Sequence, residues 1–300
     1  MQINQSSLKQ LFKGFKTLFV KALQGSEPLW SKIAMKTTST NASETYSWLG
    51  AMPGMKKLVG EVVIENLTAS QYAIVNEEFE STVGVKRAEI ERDNEGLYTP
   101  IFQGLGIAAA QHPDELLGAL MSQGFTLKDY TGKNFYDTDK KHEPLNSKSA
   151  KFSNKSTAAL SATSYGAAKA SIRKMKNARN RSMKLGRSLM LVVPPALEDT
   201  AREILQAERH ENGKTNIQKG TADLLVFADL ETDTEWHLLE VGQPVRAFIV
   251  QEEVKPQFFS QDSEDSDHVF TKKEYLYQAY ARGNAGYGLP QLAYGSTGAA

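Results

Sequence analysis

The sequence predicts an α+β protein, and three stretches carry the prediction. A long amphipathic helix opens the chain. β-rich runs fill residues 60–92 and recur from residue 222 onward. Between them, residues 189–205 (LMLVVPPALEDTAREIL) pack a strand, a double-proline break and a helix into one unit. In that unit the run LMLVV is unbroken and apolar, as in a strand buried on both faces. Pro194 and Pro195 lack the N–H a sheet ladder needs, so the strand stops there. A proline also suits a helix's first turn, and Glu198 and Asp199 suit its positive end. Leu197, Ala201, Ile204 and Leu205 then share one helical face. The unit is core material with no catalytic group.

Bulk properties set bounds. Thirty-five basic and 35 acidic residues cancel, and a neutral chain lacks the self-repulsion that opposes association. With 300 residues, 40% of them hydrophobic, the chain can build one large domain or two modest ones. The absence of cysteine excludes disulfides, thiolate metal sites and thiol nucleophiles. No apolar run approaches the ~20 residues that span a bilayer. The N-terminus has no secretory apolar region, so export by that route is not expected.

Taken in order, residues 6–23 form a strong amphipathic helix. Leu8, Leu11, Phe12, Phe15, Leu18 and Phe19 make its stripe, while Lys9, Lys13, Lys16 and Lys21 lie mostly off it. Such a helix could lie on a membrane, dock on a partner or pack on its own domain. The polar lead over 28–46 reads as extended, so helix and lead together look like an arm. Residues 44–60 carry Trp48, Leu49, Met52 and Met55 among Gly50, Pro53 and Gly54, a compact turn. Residues 60–92 suggest a long hairpin or small antiparallel sheet. Their carboxylates are scattered among Lys86, Arg87 and Arg92, which favours a charge-paired surface over an acid–base pair.

Residues 97–125 should be helical, with Pro113 in a first-turn position, Asp114 and Glu115 behind it, and Gly124 capping the end. Gly104-Leu105-Gly106 lacks the third glycine and the preceding strand of a dinucleotide loop. His112 reads as structural. In 129–142, Asp129, Asp137, Asp139 and His142 invite a hard-cation reading, but the spacing fits no calcium loop, and a β-turn with flanking strands explains them better. Residues 144–197 contain no Asp or Glu. The first part, to about Tyr165, resembles a flexible loop. The second, 167–184, reads as a basic helix bearing Arg173, Lys174, Lys176, Arg179, Arg181 and Lys184, with Ala168, Ile172, Met175 and Ala178 as its seam. This run could touch nucleic-acid phosphates or pair with acids elsewhere in an assembly. Residues 198–240 are its acidic counterpart, and complementary patches suit head-to-tail association. Strands are expected over 222–228, 235–241 and 246–254, an acidic turn over 261–267 and a final strand over 269–280. A glycine-rich turn at 284–288 then leads into a thinning tail.

An ordered set of passages resembles the major head subunit family of Mu-like phages and prophages, often called gpT. They are FKGFKTLFVKAL, ETYSWLGAMPGMKKLVGE, YAIVNEEFESTVGVKRAEIERDNEGLY, HPDELLGALMSQGF, NFYDTD, LMLVVPPALEDTAREIL and HVFTKKEYLYQAYARGNAGYG. The resemblance implies a Hong Kong 97-type major capsid protein fold. Residues 1–59 would be the N-arm, 60–96 the E-loop hairpin, 97–184 the first part of the peripheral domain with its spine helix, 185–250 the axial domain, and 251–300 the return and tail. It implies a non-enzymatic subunit, without cofactor, that self-assembles into pentamers and hexamers of an icosahedral shell around double-stranded DNA. The stripe Leu8 to Phe19 would serve the assembly arm, and the basic set from Arg173 to Lys184 would face DNA. Other copies are the main partner, with room for scaffold, portal and decoration proteins but no membrane. The expected place is the virion, assembled in the bacterial cytoplasm. The family's arm begins near residue one, so no large removed N-terminal domain is expected. An encapsulin-like cellular shell is the alternative, disfavoured because a cargo groove should be apolar rather than basic. A metal hydrolase built on Asp137, Asp139 and His142 lacks a nucleophile and an oxyanion loop.

Overall fold

A computed structural model describes residues 5–46, 49, 72–92, 95–142, 151–177, 180–209, 213–263 and 266–299. The chain opens with α1 (Gln5–Gly25), as its apolar period predicts, then α2 (Trp30–Ile33), β1 (Ala34–Thr38) and β2 (Ser43–Thr45). Next come β3 (Ala73–Val75), β4 (Glu77–Lys86), α3 (Arg87–Glu91) and the long helix α4 (Thr99–Gln123). Three short strands, β5 (Lys140–Lys141), β6 (Lys151–Phe152) and β7 (Lys155–Ser156), precede α5 (Ala162–Lys174). The expected strand–proline–helix unit is β8 (Leu189–Val193) followed by α6 (Glu198–Gln206). β9 (Asp223–Val226), β10 (Trp236–Glu240) and β11 (Phe248–Gln261) fall where β-rich runs predicted them. α7 (Asp267–Lys272), β12 (Glu274–Tyr287) and β13 (Ala293–Ser296) complete the order.

Two sheets carry the fold. The first has the order β1-β11-β12-β4, with β1 parallel to β11 and the other pairs antiparallel. The second has the order β7-β13-β10-β8-β9. β8 and β10 lie at its centre, and every residue of both is buried, which explains their continuous apolar reading. β9 joins β8 in parallel through α6, as a strand–helix–strand crossover requires.

Several expectations are corrected. Pro113 opens no helix but sits inside α4, which is continuous across it. Its missing N–H forfeits one helical hydrogen bond, but the next residue compensates in tertiary structure. Asp114 accepts hydrogen bonds from the backbone N–H of Leu29 (3.0 Å) and Trp30 (2.6 Å), satisfying the start of α2. Gly124 ends α4 in right-handed geometry, and its lack of a Cβ leaves room for the Tyr136 ring. The basic helix starts earlier and stops sooner than read: Ser161 and Ser164 form a reciprocal capping box, and the helix ends at Lys174. Beyond it a tight hairpin pairs Lys176 with Ser182. Residues 151–165 are therefore not simply a flexible loop.

Near the C-terminus, helix α7 precedes the last long strand, and the NAGYG stretch lies within β12 or at its end rather than in a turn. Its glycines serve close approach: a Cβ at Gly286 would collide with Ile74 and the Tyr72 hydroxyl. The small-residue tail is a core strand, because β13 sits between β10 and β7 with Ala293, Gly295 and Ser296 buried. In the 60–92 region, the described strands do not pair with each other. β3 pairs with β2, and β4 runs antiparallel to β12 from Glu77 opposite Gly283 to Lys86 opposite Glu274. Residues 60–71, and Trp48, Met52 and Met55 of the expected turn, lie outside the described residues.

Among the described residues there are two hydrophobic cores, and α4 serves both. Leu117 and Met121, in its second half, join the main core around β8, β10 and the start of β11. Phe102 and Leu105, in its first half, join a second core with α1, Phe258, Tyr275 and Tyr277. At the main-core end, Ser122 donates to Glu235 (2.5 Å), and His237 hydrogen-bonds Tyr136 (2.9 Å). Burial opposes ionisation of Glu235. The His237 ring beside it, the Ser122 hydroxyl and the Thr232 N–H outweigh that cost and hold its carboxyl below the ordinary value. A second buried polar group is the Lys140–Asp129 pair, with both side chains fully enclosed. The Lys140 ammonium also donates to the carbonyls of Asn134 (2.8 Å) and Phe135 (3.1 Å), and Asp129 accepts from the Thr131 N–H (2.8 Å). Burial pushes the Asp129 carboxyl up and the Lys140 ammonium down, each against the pull of the other's charge.

Lys140→Met should lower unfolding stability by about 3–5 kcal/mol, because it strands a buried carboxylate. The Lys140→Met/Asp129→Leu double variant should regain much of that loss, as read by urea titration. A double variant whose loss equals the sum of the Lys140→Met and Asp129→Leu losses would show that the pair is not coupled. Glu235 should supply stability that is fully present above its unfolded pKa of ~4.3 and lost as pH falls through its lower folded value. Glu235→Gln should therefore be less stable at neutral pH, with a shallower loss below about pH 4.3 on acid titration followed by circular dichroism.

Candidate assembly surfaces

The α1 stripe is covered by its own chain. Leu8, Leu11, Phe15 and Phe19 are buried, and Phe12 and Leu18 are half-buried. Phe15 stacks on Phe102 of α4 with centroids 4.0 Å apart and meets the Tyr277 ring edge-on at 5.2 Å. Phe12 stacks on Phe258 at 5.7 Å. Gly106 lets the two helices close up, since a Cβ there would meet the Phe19 carbonyl and the Ala22 side chain. The helix that looked in need of a partner thus has one in α4 and the first sheet. What it turns outward is charge: Lys9, Lys13, Lys16 and Lys21 are exposed.

The basic set divides between the end of α5 and the hairpin after it. Arg173 and Lys174 occupy the last turn of α5, where cations complement the helix's negative end. Lys176, Arg181 and Lys184 are exposed on the hairpin, and Arg179 lies outside the described residues. Two contacts anchor this surface to the second sheet. The Arg173 guanidinium reaches the Gly186 carbonyl (3.4 Å), and the Glu240 carboxylate accepts the backbone N–H groups of Gly186 (2.5 Å) and Arg187 (3.2 Å). The structure therefore gathers Arg173, Lys174, Lys176, Arg181 and Lys184 about one end of α5. It leaves them remote in sequence and core from the α1 stripe, which belongs to the second cluster.

The residues that suggested a metal have other work. Asp129 is committed to Lys140, and Asp139 pairs with Lys151 (2.8 Å) and Lys133 (3.1 Å). Asp137 accepts the Asp139 N–H (2.9 Å), and His142 stacks on Phe152 at 4.7 Å. Among the described residues no group of three acidic or histidine side chains could hold a metal ion. No helix among them is long and apolar enough to cross a membrane. Sequence reasoning missed Lys140, which reads as one more surface lysine in DTDKKH. It also missed the role of Asp114, since nothing local points to a partner 84 residues away.

Comparison with known proteins agrees with this architecture. The family model described as Mu-like prophage major head subunit gpT matches residues 8–159, 151–230 and 228–299. The major capsid protein of Escherichia phage Mu is 30% identical over 293 residues, covering 98% of this chain and 74% of the relative. The subunit in the procapsid of bacteriophage JBD30 superposes with a TM-score of 0.61 at 29% identity, covering 98% of this chain and 76% of that one. A virus-like particle from Pyrococcus furiosus shares the fold alone, with a TM-score of 0.55 at 10% identity over 95% of this chain and 98% of its own. This α+β chain is matched along nearly its whole length by a family of structural head subunits. It belongs to the Mu-like prophage major head subunit gpT family and has the fold of phage major capsid proteins.

Proposed function

We propose that copies of this chain assemble as pentamers and hexamers into a closed icosahedral head around double-stranded DNA, within the bacterial cytoplasm. The single observation that carries the reading is the family match in three overlapping or adjoining segments from residue 8 to residue 299. The residue divisions 1–59, 60–96, 97–184, 185–250 and 251–300 serve as arm, E-loop, peripheral domain, axial domain and return. On that division the axial sheet borrows β7 and β13 from the flanking segments. Scaffold, portal and decoration proteins are the further partners such a head uses. The encapsulin-like alternative is not favoured, because the sequence matches are to phage and prophage head subunits.

The cationic end of α5 is the DNA-facing surface in this reading. It lies in an acid-free run, and counterion release gives such a surface affinity for phosphates without base readout. No aromatic side chain interleaves Arg173, Lys174 and Lys176, so stacking on bases plays no part.

Purified protein examined by light scattering and negative-stain microscopy should give closed particles, or flat rings of five or six subunits. A stable monomer across salt and concentration would count against the reading. Charge reversal at Arg173, Lys174 and Arg181 should leave shell formation intact while genome retention falls, read as nuclease-protected DNA per particle. Normal filling and retention by such shells would remove the DNA-facing assignment.

A further inference from the structure

Among the described residues, α1 is acid-free, and none of its four lysines has an acidic partner. Beside it runs a groove of about 750 Å³ between α1 and the start of α4. Its base is the half-buried Leu18 beside the buried Leu11 and Phe15, Gln10 and Thr17 are exposed along it, Gly14 and Gly96 keep it open, and Lys13 stands at its rim. That volume lies within the range of pockets that hold a side-chain-sized or larger group. A cationic rim over an apolar floor selects an occupant with an apolar knob and a carboxylate beside it.

The chain carries such a segment at the tip of its longest hairpin. Helix α7 joins β11 to β12, and neighbouring residues of it have opposite fates. Val269 faces inward and is buried in the second core with Leu8. Phe270 faces out and is 72% exposed, with the Lys273 ammonium over its ring at 5.0 Å. Asp267, one turn earlier, is exposed, and Asp262 lies just before the tip. An exposed phenylalanine on a short, anchored helix is a preorganised contact group rather than core left over.

We propose that Phe270 of one copy seats in the α1 groove of the next, with Asp267 placed against Lys13. Groove and knob are different surfaces, so the contact is heterologous and propagates around a ring or across a shell instead of closing a two-fold dimer. The contact rests on the head-subunit reading, since it needs other copies as partners. It also gives the lysines of α1 a role that does not involve DNA or a membrane surface.

The absence of cysteine makes the test clean, because any disulfide must come from introduced residues. Particles of the K13C/D267C chain, oxidised and run under denaturing conditions, should give a ladder of covalent multimers. K13C or D267C alone should give at most dimers. Bond formation needs Cα atoms within about 7 Å, so random collision in a shell does not produce a ladder. In parallel, Lys13→Glu should cut particle yield several-fold, and Lys13→Glu/Asp267→Lys should restore it. Particles whose K13C/D267C chains run as monomers, with Lys13→Glu assembling normally, would overturn the contact while leaving the head-subunit reading intact. Failure of wild-type protein to form any particle would overturn both. Circular dichroism of each variant keeps folding separate from assembly, since Lys13 and Asp267 are exposed in the subunit.

Discussion

The fold depends on α4 remaining one rigid helix across Pro113. Its first half is built into the second core and its second half into the main core, where residues of both sheets meet, so this one helix ties the two cores together. A proline in a helix interior ordinarily costs about 3 kcal/mol, and that cost has to be met by contacts on both sides. Asp114 meets part of it by fastening the start of α2, which leads directly into β1 of the first sheet. Gly118, one turn farther on, lets the Asp229 backbone press against the helix, where any Cβ would overlap it. Ser122 then reaches Glu235 at the entrance to β10. Three residues at a spacing of four therefore fasten one helical face to two distant parts of the chain, residues 29–30 and the loop 229–235.

This arrangement also separates the chain's charge from its apolar surface. The α1 stripe, the centre of the second sheet and the hairpin β11–β12 are satisfied internally. What the subunit presents outward is mainly paired or clustered charge, punctuated by a few apolar side chains such as Leu97, Ile217 and Phe270. Zero net charge and this pattern suit association through specific docking more than through general hydrophobic collapse.

Much of the fold was legible wherever local pattern and tertiary use agree. The LMLVV run is buried on both faces, so its apolar continuity told the truth about β8. The α1 stripe and the extent of α4 followed from helical period. Failures arose where a residue serves a distant neighbour. Pro113 has the local look of a helix start, and only the Leu29 and Trp30 N–H groups explain why Asp114 follows it inside a helix. The glycines of NAGYG suggest a turn, but their use is close approach by Ile74 and Tyr72. The tail reads as thinning because its residues are small; they are small because β13 lies against Tyr136, whose ring fills the space a Cβ on Gly295 would need. The basic set was legible as composition, while its gathering at the end of α5 depended on a capping box and a Glu240 anchor that no periodicity reveals.

The place of β13 has a bearing on how the protein is made. The second sheet is assembled from residues 155–156, 189–193, 223–226, 236–240 and 293–296, and the last of these lies between β10 and β7. Asn154 reinforces that closure by donating to the Phe135 and Pro290 carbonyls (2.9 and 3.1 Å). On the ribosome, β8 and β10 can pair early, but the sheet lacks an inner member until residue 296 has emerged. A nascent or prematurely terminated chain therefore exposes an open sheet edge and an unfilled core, and quality-control proteases recognise such surfaces. A chain that stops short of β13 therefore lacks the sheet member that joins β10 to β7.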